Sequence, residues 1–189
     1  PVFVELPVNI QLDKGEVTGL PVYQPPGRVS EIDQGELQKA ARLLASAKKP
    51  GIFVGWGGVD CHESLEALAE HLGAPVATTL QGLSSFSASH PLHTGMGFGP
   101  AAVPAAQNAF KDCDCLLAIG TRFGEIATGS FGVKVPPALI HLDINPEVFN
   151  VNYQAEVTLV GDSKVLLPQL AALVQANKPA RVHSALAAR

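Results

Sequence analysis

The feature that most restricts what this chain can become is a recurrence of short apolar runs that do not alternate with polar residues. Gly51-Ile52-Phe53-Val54-Gly55, Pro75-Val76-Ala77-Thr78-Thr79, Cys115-Leu116-Leu117-Ala118-Ile119, Ala138-Leu139-Ile140-His141-Leu142 and Val157-Thr158-Leu159-Val160 are all of strand length, and a briefer one falls near Leu92 to Gly95. A strand with one wet face alternates; a strand covered on both faces does not, so these runs predict a parallel sheet within an α/β fold. Helical periods separate them. Asp33 and Glu36 have capping-box spacing ahead of Leu37, Ala40, Ala41 and Leu44, and Lys48-Lys49-Pro50 ends the pattern. Asp60 and Glu63 repeat that spacing before Leu65, Leu68, Ala69 and Leu72, and Ala101 to Phe110 reads as a helix of small residues. The last helix begins at Asp162 and carries Leu166, Leu170 and Leu173, with Pro168 bending it or delaying its start.

Outside this pattern the chain reads differently. Val2-Phe3-Val4-Glu5-Leu6 has the look of a strand, and Pro7 to Ser30, with Pro21, Pro25, Pro26, Gly15, Gly19 and Gly27 and no sustained period, reads as a linker. The 189 residues suffice for one real core. Thirteen Lys and Arg against 17 Asp and Glu give a net charge of -4, which leaves no basic surface for nucleic acid. No apolar stretch approaches the roughly 20 residues that span a bilayer. Three cysteines, Cys61, Cys113 and Cys115, fit neither a disulfide framework nor a zinc site, so a reducing, cytoplasmic setting is expected. Charged residues make up only 16%, so much of the surface is expected to meet other protein. A first residue inside an apparent strand, with neither Met nor signal peptide, reads as an excerpt of a longer polypeptide.

In an open α/β sheet, ligands sit beyond the carboxyl ends of the strands, so the residues after each run are the candidates. Gly55-Trp56-Gly57-Gly58 removes side chains where backbone N–H groups could approach a phosphate, or is simply a turn. The dinucleotide pattern G-x-G-x-x-G fails at Asp60, and Thr78 and Thr79 stand where a ribose-binding acid belongs, which counts against an ordinary NAD site. Gly120-Thr121-Arg122-Phe123 places a guanidinium where a pyrophosphate could rest; the plainer alternative is an ion pair with Glu125. Asp143 could accept from ribose hydroxyls or cap the Pro146-Glu147 turn, and Gly161-Asp162 reads first as a helix N-cap. Trp56 stacks on a ligand or seals against a partner domain. The six histidines lack metal-ligand spacing, and no Ser or Cys has the setting of a nucleophile, so neither a metal site nor a catalytic residue is assigned.

Taken together, Thr79-Leu80-Gln81-Gly82-Leu83, His90-Pro91-Leu92 with Gly95-Met96-Gly97, Gly120-Thr121-Arg122-Phe123 with Thr128-Gly129, His141-Leu142-Asp143-Ile144-Asn145-Pro146 and Gly161-Asp162 resemble, in order and spacing, the central domain of thiamine diphosphate-dependent enzymes of the acetolactate synthase type. The resemblance covers about residues 50 to 174. It implies a six-stranded parallel Rossmann-like sheet, order 3-2-1-4-5-6, with helices on both faces. It divides the chain into the last strand of a preceding pyrimidine-binding domain (1–11), a linker (12–31), the central domain (32–176) and a tail or the start of a next linker (177–189). Such domains hold FAD, an adenine nucleotide or nothing. Carried over by position, Gly57, Gly58, Thr79, Leu80, Gly120, Arg122, Phe123, Asp143, Ile144, Gly161 and Asp162 match the flavin-contacting motifs.

Two stretches depart from flavin-binding synthases. Arg122-Phe123-Gly124-Glu125-Ile126-Ala127-Thr128-Gly129 replaces R-F-D-D-R-V-T-G, and Gly97-Phe98-Gly99-Pro100 replaces G-M-H-G. The resemblance further implies that thiamine diphosphate and Mg2+ are held by flanking pyrimidine-binding and pyrophosphate-binding domains, that the whole enzyme is a homo-oligomer, dimer or tetramer, and that this fragment alone is inactive. Two rivals share the topology: a sirtuin-like or transhydrogenase-like nucleotide-binding module, and a structural domain with an empty crevice.

Overall fold

The computed structural model describes residues 3–16, 18–23 and 32–177. Helix α1 (Val8–Leu12) is a single exposed turn, and every described residue from Phe3 to Tyr23 is exposed. The expected opening strand does not form: Phe3 to Pro7 have no regular structure. A strand needs a neighbour to satisfy its ladder, and this segment pairs with none among the described residues, whereas the turn that follows closes its own bond from Gln11 N–H to Pro7 O. Most of the linker expected over 12–31 shows no regular structure where it is described; residues 24–31 and the tail from 178 onward lie outside the described residues.

Six strands form one parallel sheet in the order β3-β2-β1-β4-β5-β6. They are β1 (Pro50–Val54), β2 (Val76–Thr78), β3 (His93–Met96), β4 (Cys115–Ile119), β5 (Ala138–Asp143) and β6 (Val157–Val160), each within a residue or two of its apolar run. Central strands β1 and β4 are buried at every position, the outcome that continuous apolarity predicted. Successive side chains enter opposite cores. Ile52, Val54, Leu117, Ile119, Ile140 and Leu142 face α2 (Gln34–Ser46), α3 (His62–Leu72) and α5 (Ser163–Asn177). Phe53, Leu116, Ala118 and Leu139 face the other way, toward Phe98, Phe110 and Phe123, where, among the described residues, α4 (Pro104–Phe110) is the one α-helix and a 3-10 turn (Ile126–Thr128) with irregular chain supplies the remaining cover.

Asp33 caps α2 as expected, its Oδ1 accepting from Gly35 and Glu36 N–H. Asp60 does not cap α3: the N-cap is Cys61 with no side-chain bond, and the Asp60 carboxylate instead pairs with Lys164 at 2.8 Å. Helix α4 begins three residues later than expected, at Pro104, whose fixed φ suits a first turn and needs no donor. Pro168 does not delay α5, which runs through it from Ser163. Among the described residues no helix is long and apolar enough to cross a membrane.

Candidate functional site

Strands β1 and β4 lie side by side at the centre of the sheet, and the chain leaves them toward opposite edges, β1 to β2 and β4 to β5. This reversal leaves a crevice beyond their carboxyl ends. Its floor is main chain. Gly57 N–H donates to Gly120 O at 3.1 Å, and a Cβ on Gly120 would sit 2.2 Å from the Gly57 Cα, so neither loop tolerates a side chain at the contact. Gly120 also holds φ at +55°, a conformation glycine adopts without strain. Ser163 Oγ ties this floor to the start of α5 by donating to Gly57 O. Gly58 N–H is bonded to Gly55 O, so both glycine N–H groups expected to face a phosphate are spent within the floor.

The crevice has two connected compartments, of about 860 and 260 Å³, which share Trp56, Gly57, Gly120, Asp143 and Ile144. Thr79 and Arg122 line the larger and Gly161 and Asp162 the smaller. Eight of the eleven residues singled out from sequence therefore converge. Three do not line it. Gly58 is buried beneath it, Leu80 is half-exposed beside it, and Phe123, at 2% exposure, belongs to the core among Phe53, His141 and Tyr153.

Arg122 is exposed and, among the described residues, makes no ion pair; the bridge to Glu125 is absent although both line the larger compartment. Its loop is held from beneath. Phe123 N–H donates to Thr121 Oγ1, Asn152 Nδ2 donates to the Phe123 carbonyl at 3.1 Å, and His141 Nε2 donates to the Thr121 carbonyl at 2.8 Å. Asp143 is 8% exposed; its Oδ1 accepts from Asn145 N–H, while Asn145, not Asp143, caps the Pro146–Val148 turn through Glu147 N–H. Asp162 combines both sequence readings, lining the smaller compartment while its Oδ1 accepts from Lys164 N–H at the head of α5. The Asp60–Lys164 pair stands on the rim of that compartment, and each partner stabilises the other's charged form, lowering the Asp60 pKa and raising that of Lys164.

Several lining residues carried no sequence signal. Val148, Val151 and Asn152 lie on the irregular connection between β5 and β6, and only their position downstream of a strand end could have pointed to them. Electrostatically the larger compartment is mixed, with Arg122 facing Glu125, Asp143 and Glu147. No group of three His, Cys, Asp or Glu among the described residues is placed to hold a metal.

An open parallel sheet with a glycine-floored crevice at its switch point defines a doubly wound α/β domain. The model of the thiamine pyrophosphate enzyme central domain matches residues 37–170, and the chain belongs to that family. It is 38% identical over 183 residues to the acetolactate synthase large subunit of Corynebacterium glutamicum, covering 94% of this chain and 29% of that protein. It is 38% identical over 174 residues to the acetolactate synthase isozyme 2 large subunit of Escherichia coli, covering 90% and 31%. Against a probable acetolactate synthase large subunit of Methanocaldococcus jannaschii the identity is 37%, covering 92% and 31%. The chain thus spans about a third of the length of these curated relatives. In fold it is similar to benzoylformate decarboxylase from Polynucleobacter necessarius, with a TM-score of 0.61, 20% identity, and coverage of 89% of this chain and 32% of that one.

Proposed function

We propose that this chain is the central domain of a thiamine diphosphate-dependent 2-oxo acid carboligase or decarboxylase of the acetolactate synthase type, and that its crevice holds an adenine nucleotide, FAD foremost. The observation that carries the second part is the pairing of a side-chain-free floor, Gly57 on Gly120, with a guanidinium at the neighbouring strand end that has no acid partner among the described residues. Such a floor gives a diphosphate room rather than donors, since the Gly57 and Gly58 N–H groups are already bonded, and Arg122 supplies the charge-assisted hydrogen bonds. Asp143, acceptor-only when ionised, suits ribose hydroxyls. Ile144, Val148, Val151 and the exposed Trp56 give apolar walls that keep water off a planar group. Glu125, Asp143 and Glu147 oppose a more highly charged ligand, which favours a diphosphate over a triphosphate.

In this reading the chain contributes no catalytic residue. Thiamine diphosphate and Mg2+, held by flanking pyrimidine-binding and pyrophosphate-binding domains, supply the carbonyl chemistry, and a flavin bound in the crevice would supply a planar redox-active ring used as structure. The central domain, residues 32–176, then acts as scaffold and as one wall of the substrate channel in a cytoplasmic homo-oligomer.

Thermal shift of the chain with FAD, ADP, NAD and coenzyme A tests this. A ligand at a hundredfold excess over its Kd stabilises by about 2.7 kcal/mol. FAD or ADP is expected to stabilise; a response to NAD alone overturns the reading, and silence from all four supports an empty structural crevice instead. Arg122→Gln is expected to weaken nucleotide binding about tenfold and to flatten its salt dependence, because a charge-assisted contact is lost.

A further inference from the structure

His141 is a buried polar group that nothing proposed so far uses. It stands on β5 at 1% exposure, with Ala118 of β4 and Thr158 of β6 as its register neighbours. Its ring meets the edges of Phe123 and Phe149 at centroid distances of 5.2 and 5.0 Å. One nitrogen is committed: the acceptor at 2.8 Å from Nε2 is the Thr121 carbonyl, so Nε2 carries the hydrogen. Nδ1 is buried and, among the described residues, has no partner. A side chain in an aromatic cage with a single polar contact has that contact as its one polar task, and the contact is to the residue before Arg122.

The loop needs such an anchor. Phe123 holds φ at +50°, unfavourable for a bulky residue, and Arg122 itself gains no ion pair among the described residues. His141 grips the carbonyl of Thr121, and Asn152 grips those of Arg122 and Phe123. We propose that His141 is the positioning residue that fixes Arg122 over the crevice, acting through the backbone of Thr121, so that removal of its Nε2 donor frees the loop and dissipates the anion contact. The structural half of this stands by itself; the anion half rests on the nucleotide reading above.

Two substitutions separate positioning from mere packing. His141→Gln keeps an amide donor at the reach of Nε2, and His141→Phe keeps a ring but no donor, with His141→Met as the donor-less stand-in if the Phe variant does not fold. The first readout needs no ligand: the rate of tryptic cleavage at the Arg122–Phe123 bond of the full chain, followed by mass spectrometry. Cleavage there requires local opening, and it is expected to be about tenfold faster in the donor-less variant, with the Gln variant near wild type. The second is ADP affinity read from Trp56, the single tryptophan of the chain, which lines both compartments. The donor-less variant is expected to lose the same affinity as Arg122→Gln, and the double variant no more than either. Equal cleavage in the folded Gln and donor-less variants, or additive losses with Arg122→Gln, overturns the proposal. If wild type binds neither ADP nor FAD while the cleavage ranking holds, the nucleotide reading fails and the loop anchor stands.

Discussion

At the scale of single residues, two kinds of position matter most, glycines at backbone contacts and histidines kept neutral. Gly120→Ala would force a left-handed φ on alanine and bring its Cβ to 2.2 Å from the Gly57 Cα, so a loss of about 3 kcal/mol or more is expected in urea denaturation. A change under about 0.5 kcal/mol, the size of a neutral surface substitution, would show that the two loops part easily. Burial holds the pKa of His141 below the ordinary histidine value, and burial followed by the nearby His90 does the same for His93. Native pKa values below the unfolded value of about 6.5 mean that the unfolded chain takes up the protons first. Stability is therefore expected to be flat above about pH 7 and to fall as pH drops through 6.5, with a shallower fall in His141→Gln. Urea midpoints across this range check the sign; rising stability on acidification contradicts it. Glycine contacts were visible in the sequence only as a glycine-rich strand end. That Gly57 would spend its N–H on Gly120, 63 positions along, required knowing that β1 and β4 are neighbours.

At the scale of elements, the strands were legible because each carries its own signal, an unbroken apolar run, and each appears within a residue or two of it. The connections were not. Asp60 looked like a cap by spacing, yet α5 brings Lys164 to it at 2.8 Å, and a partner 104 positions away leaves no local trace. Asp114 shows the same limit. It accepts from both Lys48 and Lys49 N–H, at 2.7 and 2.9 Å, and so joins the turn after α2 to the turn before β4. Asp114→Ala is expected to cost about 1–3 kcal/mol, since two backbone donors to a carboxylate lose their acceptor; calorimetry against Asp112→Ala, whose partner is the exposed Lys49 ammonium, gives the comparison. The opening segment failed for the reverse reason. Val2 to Leu6 has strand-like composition, but composition cannot supply a neighbouring strand.

For the molecule as a whole, the two cores on either side of the sheet leave cysteine chemistry no opening. Desolvation raises the Cys113 thiol to about 11 and the Cys115 thiol to about 12; Cys115 and Cys61 are buried and Cys113 is half-buried. Iodoacetamide at neutral pH is expected to leave all three unmodified until the chain unfolds globally, so labelling should track the urea transition; early labelling of Cys113 would reveal a local opening of the turn before β4. The family and sheet order could be anticipated because motif order survives along the chain, whereas the two-compartment shape of the crevice could not, because Val151, Asn152 and Lys164 enter it from connections and helix ends without motifs. The main-chain floor carries one more implication. A surface made of peptide groups offers the same shape whatever side chains surround it, so under the proposed nucleotide reading any change in what the crevice accepts is expected at its rim, on Trp56, Arg122, Ile144 and Val151. Those are the positions at which ligand preference could be redesigned while the junction of the two half-sheets keeps its form.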